Sequence, residues 1–157
     1  MPADHPAIRR VISAAFERGA SVEAVIVDGV RAEGAALLEL VADEAGAVVG
    51  HVLFSRMTCA PPKLIAGLGP LAVHPEHQRR GAGGALARAG LEACRRRGVE
   101  AALVLGHPGY YCRFGFTAAA AAAIRSRYAG SPAFMAIELA PGALMSDIDI
   151  AYPSAFD

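Results

Sequence analysis

Leu71-Ala72-Val73-His74-Pro75-Glu76-His77-Gln78-Arg79-Arg80-Gly81-Ala82-Gly83-Gly84 is the stretch whose reading decides the fold. An apolar strand ends at Val73, a turn containing Pro75 follows, and a glycine-rich loop opens a helical pattern. The first turn of a helix leaves backbone N–H groups without partners, and the helix dipole adds partial positive charge there. Such an end is a natural seat for phosphate. Arg79 and Arg80 bring full positive charge beside it, and the small residues Gly81, Ala82, Gly83 and Gly84 let a diphosphate approach the main chain. Spacing excludes two familiar nucleotide loops. A GxxxxGK[ST] loop needs a Lys-Ser or Lys-Thr pair, which the chain lacks, and a GxGxxG/A fingerprint counted from Gly81 ends on Leu86. What remains is Gln-x-x-Gly-x-Gly, supplied by Gln78, Gly81 and Gly83.

Upstream of this stretch, Leu64 to Val73 reads as an apolar strand interrupted by Gly67, Gly69 and Pro70. Proline cannot donate to a ladder and glycine in a strand marks a bulge or a close approach, so the strand is expected to be pried open at its middle. Before it, residues 37–42 and 47–57 are two apolar runs joined by Asp43-Glu44-Ala45-Gly46, the pattern of an antiparallel hairpin. Ile8, Val11, Ile12, Ala15 and Phe16 predict an amphipathic helix over residues 4–18, with Asp4 as N-cap and Gly19 as stop. Val22, Val25, Ile26 and Val30 repeat that spacing in a shorter helix, although strands also favour such β-branched residues.

Downstream, a helix is expected from Ala82 to Arg97, burying Leu86, Gly90, Leu91 and Cys94 and ending at Gly98. A buried strand from Glu100 to Leu105 follows, then a loop over residues 106–109 and a brief helical turn from Tyr110 to Phe114. The alanine run 118–123 has helical propensity but is too short to nucleate a helix alone. Ala133 to Leu139 and Ile148 to Tyr152 read as the last strands, separated by a turn at Pro141-Gly142.

Composition narrows the class. The 157 residues suit one domain with a sizeable core, 54% of them are apolar, and acids and bases balance at net charge +0. That balance argues against a nucleic-acid protein, which needs a basic excess. Apolar runs are shorter than a membrane helix requires, and the start MPADHPAIRR lacks the pattern of a secretory signal, so a cytoplasmic protein is expected. Cys59, Cys94 and Cys112 share no CxxC spacing and read as free thiols. His74 and His77 have metal-like spacing but no apparent third ligand, so no metal site is expected. Arg95-Arg96-Arg97 reads as a solvated helix end that complements the dipole.

The chain resembles the GNAT superfamily of N-acetyltransferases. Its acetyl-CoA loop has the pattern [Gln/Arg]-x-x-Gly-x-[Gly/Ala] after a strand of the type Leu-x-Val-x-Pro, matched by Leu71-Ala72-Val73-His74-Pro75 and by Gln78, Gly81 and Gly83. A second family pattern, Tyr-x-[Lys/Arg]-x-Gly-Phe, is matched by Tyr111-Cys112-Arg113-Phe114-Gly115-Phe116 after one helix and one strand. The resemblance spans roughly residues 4–139 in element order. It implies a mixed α/β (α+β) single domain over residues 1–157, a twisted mixed sheet flanked by helices whose two central parallel strands splay apart. It further implies that acetyl-CoA is the cosubstrate, that Leu71, Ala72 and Val73 pair with its pantetheine arm, and that Arg79 to Gly84 hold its pyrophosphate. Over residues 118–123 it implies a loop or short strand.

Direct acetyl transfer to an amine requires a proton lost from nitrogen, a polarised thioester carbonyl and a proton gained by the departing thiolate. The resemblance assigns the last task to Tyr111, with Tyr110 alongside and Arg113 near the cofactor. A carboxylate that some family members place near the start of the splayed strand is missing from Gly67-Leu68-Gly69-Pro70. Glu39, His51, Ser55 or an ordered water stand as alternatives for the base. Cys112 reads as a lining residue. The acceptor is an amine of a small molecule or peptide. A non-catalytic acetyl-CoA-binding sensor, an O-acyltransferase and a longer acyl donor are the competing readings. For residues 140–157 the sequence leaves open a cover for the sheet edge or a meeting with a second subunit in a homodimer.

Overall fold

The computed structural model describes residues 2–16 and 21–157. In chain order these form α1 (His5–Ala15), α2 (Val22–Ala32), β1 (Ala36–Glu44), β2 (Ala47–Arg56), β3 (Thr58–Ala60), β4 (Ile65–Val73), α3 (Ala82–Arg96), β5 (Ala101–Leu105), α4 (Pro108–Tyr111), β6 (Ile124–Arg125), β7 (Phe134–Glu138) and β8 (Ile148–Ala151). The expected helix over 4–18 is thus seen as far as Ala15. Its last residues and the Gly19 stop fall outside the described residues. Asp4 holds the N-cap position without a side-chain cap bond.

A five-stranded sheet runs in the order β1-β2-β4-β5-β7, and β4 and β5 form its parallel pair. The β1–β2 hairpin turns through Ala45 and Gly46, both at positive φ, with the Gly46 N–H donating to the Asp43 carboxylate at 3.0 Å. A second sheet, in the order β3-β8-β6, lies over part of the first.

Alternation along the strands explains the layers. Val52 and Phe54 of β2, Ala66 and Leu68 of β4, and Ala102 and Val104 of β5 share one face and bury against Leu86, Ala87, Leu91 and Cys94 of α3. On the opposite face, Leu53 and Ala72 bury against Ile8, Val11 and Ile12 of α1 and Ala24, Val27 and Val30 of α2. The rest of that face, including Ile65, Leu103 and Phe134, is covered by Ile124, Ile148 and Ile150 of the second sheet.

One expectation changes and one open alternative resolves. In α2 the buried stripe is Ala24, Val27 and Val30, while Val22 and Val25 are 68% and 58% exposed. The β-branched residues gave the helix its apolar signal, but its inward face begins two residues later. Of the loop or short strand expected for the alanine run, the loop is what forms, with a single 3-10 turn at Ala119–Ala121 held by the Ala120 N–H donating to Thr117 Oγ1 at 3.1 Å. Only Ala121 of that turn is buried, so an extended strand there would gain little packing.

Candidate active site

The splay begins where the sequence is irregular. β4 pairs with β5 from Ile65↔Ala101 to Leu68↔Val104 and no further, while its other edge stays paired to β2 through Leu71, Ala72 and Val73. Between Val52↔Leu71 and Phe54↔Leu68, two steps on β2 match three on β4. The extra residue is a bulge at Gly69-Pro70. Gly69 takes φ +146°, a conformation that suits glycine. The edge of β4 that faced β5 is therefore open beyond Leu68.

The turn after β4 is tied down by its own residues. His74 Nδ1 accepts from the Glu76 N–H at 3.2 Å, and Gln78 Nε2 donates back to the Val73 carbonyl at 3.0 Å. Arg79 and Gly81 then take positive φ, +64° and +90°, giving the concave main chain that gathers N–H groups around an anion. The first α3 amide with a helical acceptor is that of Ala85, which reaches Gly81 O at 3.0 Å. The N–H groups of Ala82, Gly83 and Gly84 thus fall in the unpaired first turn.

A cavity of 510 Å³ opens over this turn. Leu71, Val73, Gln78, Arg79, Gly81, Gly83, Gly84, Tyr110, Tyr111 and Arg113 line it, as do His77, Arg88 and Phe114. Of the residues nominated from sequence, Ala72 buries its side chain on the α1 face, Ala82 stays off the wall, and the Arg80 guanidinium turns to Glu44 at 3.6 Å. Arg88, a wall residue of the cavity, was not singled out from the sequence. It lies one turn beyond Gly84, with its guanidinium 5.0 Å from the Phe114 ring centroid. Arg113 stacks likewise over Tyr110 at 5.0 Å. His77 is held by Glu44, 2.7 Å from its Nδ1. Gly83 must be small: a Cβ there would come within 2.7 Å of the Tyr110 hydroxyl.

A second cavity, of 380 Å³, lies across the splay. Its floor is Gly67 to Leu71 of β4, and Leu105 at the end of β5 forms one side. Phe16, Glu23 and Ile26 come from the α1–α2 region, and Tyr128, Tyr152 and Phe156 from the last third of the chain. The segment 140–157 therefore has a place: it supplies β8 to the second sheet and two aromatic rings to this wall. Leu71 and Tyr111 are common to both cavities.

Tyr111 is placed by α4 and by Gly106, where a Cβ would meet its ring at 2.5 Å. Its ring packs edge-on to Tyr110 and Phe116. Burial, with a smaller contribution from Tyr110, pushes its phenol up to about 12. The group therefore keeps its proton at neutral pH, and the shift makes it a weaker acid than a free phenol.

The three bases nominated from sequence sit elsewhere. Glu39, His51 and Ser55 line neither cavity. His51 is fully buried with Nε2 2.8 Å from Glu39 Oε1, and Arg31 grips the same carboxylate at 2.8 and 3.1 Å. Burial pushes Glu39 up, but the hydrogen bonds from His51 and Arg31 outweigh it and hold the carboxyl at about 2. A carboxylate so held is a poor proton acceptor. His51 Nδ1 and Ser55 Oγ are buried without a partner among the described residues. Glu23 is the one carboxylate on the wall of the second cavity among the described residues. Sequence reading missed it because its only local signal is a place in the first turn of α2.

The splayed parallel pair, the glycine turn and the half-buried tyrosine have the arrangement of an acyltransferase of the GNAT type. The model of the acetyltransferase (GNAT) family matches residues 8–116, and the chain belongs to that family. The chain is 37% identical over 147 residues to the uncharacterised N-acetyltransferase YhbS of Escherichia coli, covering 92% of this chain and 87% of that protein. It is 43% identical over 114 residues to the uncharacterised N-acetyltransferase YjhQ of the same species, covering 69% and 62%. Among solved structures, a GNAT family acetyltransferase from Brucella melitensis in complex with acetyl-CoA superposes with a TM-score of 0.82 at 38% identity, covering 100% of this chain and 94% of that one. Escherichia coli YhbS in complex with CoA superposes with a TM-score of 0.89 at 34% identity, covering 99% and 88%. Among the described residues no helix is long and apolar enough to cross a membrane.

Proposed function

We propose that this chain, acting as one domain, moves an acetyl group from acetyl-CoA directly to an amine. The observation that carries this reading is that Leu71 and Tyr111 wall both cavities. A donor seated in the first and an acceptor in the second would face each other across the splay, with no need for a covalent enzyme stage. The first cavity fits the donor's chemistry: unpaired amides at Ala82 to Gly84 for the diphosphate, and the open β4 edge for the amide-bearing arm. Arg79, Arg88 and Arg113 add charge for the nucleotide end.

When bound, acetyl-CoA supplies a thioester whose carbonyl carbon accepts a nucleophile. Tyr111 gives its proton to the sulfur as the C–S bond breaks. It recovers one from the amine nitrogen as the C–N bond forms, so protons balance over the cycle. Arg113 and Tyr110, stacked on each other, close the first cavity beside this hydroxyl.

Two measurements on the intact protein test the reading. Calorimetry with acetyl-CoA should give one tight site, and thiol release from acetyl-CoA should appear with amines and not with matched alcohols. Tight binding with no release across amines would favour a sensor. Release with alcohols alone would favour O-acyl transfer.

A further inference from the structure

We infer that the second cavity selects a monocationic primary amine carried on an aromatic or bulky apolar body, with Glu23 as the residue that reads its charge. The inference rests on the transferase reading above and narrows its acceptor.

The lining divides by chemistry. Phe16, Tyr128, Tyr152 and Phe156 are aromatic, and Ile26, Pro70 and Leu105 are aliphatic. Among the described residues, Glu23 is the single carboxylate of the lining, and no Arg, Lys or His joins it. One acid in an otherwise apolar chamber matches one positive charge. A polyamine would need several acids, and a carboxylate-bearing acceptor would need a base on the wall.

The rings form a connected cluster. Tyr152 packs against Tyr128 at 5.1 Å and against Phe156 at 5.4 Å between centroids. Their faces and edges suit both an aryl body and a nearby ammonium. Arg127 is stacked 5.0 Å over Tyr128 and 5.8 Å from Tyr152, and it lies outside the lining. Its charge is answered by Asp157 at 2.5 Å. It therefore shores up the back of the wall, and among the described lining residues the charge rests on Glu23. Volume fits the same class, since 380 Å³ lies at the small end of the roughly 300–1,000 Å³ of ligand pockets. Once held, the cation loses one proton to water before nitrogen attacks.

The test uses protein saturated with CoA, titrated by calorimetry with 2-phenylethylamine, 2-phenylethanol and spermidine, alongside thiol release from acetyl-CoA with the two amines. 2-Phenylethylamine should bind and react best. Glu23→Gln should weaken its binding and raise its KM about tenfold, leaving acetyl-CoA affinity unchanged, and Glu23→Asp should recover part of the loss. Glu23 lies in the first turn of α2 beside exposed Val22, so the Gln variant keeps the helix packing. Equal binding of the alcohol, preference for spermidine, or an unchanged KM in Glu23→Gln would each overturn the inference. If thiol release still occurs with spermidine, the transferase reading survives. Its absence with every amine would remove both.

Discussion

The cavity proposed to cradle the donor and the chamber proposed for the acceptor share Tyr111 and Leu71, yet they are made of different material. The cradle is mainly main chain. Its anion seat lies within residues 79–84, shaped by two positive-φ residues and a helix start. The chamber is built of side chains from five separate parts of the chain: Phe16, the first turns of α2, the bulge of β4, the end of β5 with Tyr111, and the segment from Tyr128 to Phe156. A diphosphate offers the same charge and geometry to any protein, so backbone amides serve it well. An acceptor's identity lies in its shape and charge, which only side chains can match. Substitution should therefore act all-or-none on the cradle and by degrees on the chamber.

The shared residue gives the largest expected effect. Tyr111→Phe removes one hydroxyl from a wall that both cavities use, and should lower kcat about 100-fold. Acetyl-CoA affinity should change less than about twofold, because the ring stays packed against Phe116. The phenol's displacement to about 12 means that wild-type activity should show no falling limb from this group below about pH 10. A kcat near wild type would break the link between the two regions.

Gly83→Val strikes the cradle first. Its Cβ would press on the Tyr110 hydroxyl, 2.7 Å away, displacing the ring that closes the donor cavity beside Arg113. Calorimetry should show acetyl-CoA affinity down about 30-fold, by loss of charge-assisted contacts to the diphosphate. Binding of the acceptor class to the chamber, read separately, should be little changed. A loss below about threefold would mean that the cradle is more forgiving than a main-chain site should be.

The same difference in material decides what the sequence made legible. Gln78, Gly81 and Gly83 lie within six residues, so local spacing together with the family resemblance pointed to the cradle. Gly69-Pro70 announced the bulge because neither residue suits an unbroken ladder. Tyr111 was legible through its neighbours Arg113, Gly115 and Phe116. Glu23, Tyr128 and Tyr152 carry no such local grammar, since their meeting depends on how α2, β6 and β8 pack over the sheet. The same limit put Glu39 and His51 among the candidate bases: a strand position reveals alternation but not that Arg31 reaches across from α2 to lock the carboxylate. Arg80 beside Arg79 looked equivalent in sequence. The reversal of the main chain at Arg79 sends Arg80 to Glu44 instead.

The smallest effect belongs to the chamber's outer wall. Ser154 ties the C-terminal segment to α2 through Glu33, its N–H donating at 3.1 Å and its hydroxyl at 2.8 Å. Ala155 lies over Gly29 of the same helix, where a Cβ would come within 2.7 Å. Phe156 and Tyr152 are positioned by this seam, so its loosening should reach the acceptor through two rings and the donor not at all. Both bonds are exposed and exchange readily with water, which limits their worth to about 1 kcal/mol. Glu33→Ala should therefore raise the acceptor KM by about threefold to fivefold, with kcat and acetyl-CoA affinity unchanged. Steady-state kinetics on the best amine reads this directly. A parallel loss of acetyl-CoA affinity would show that the two cavities are mechanically one, and that the division between backbone cradle and side-chain chamber does not hold.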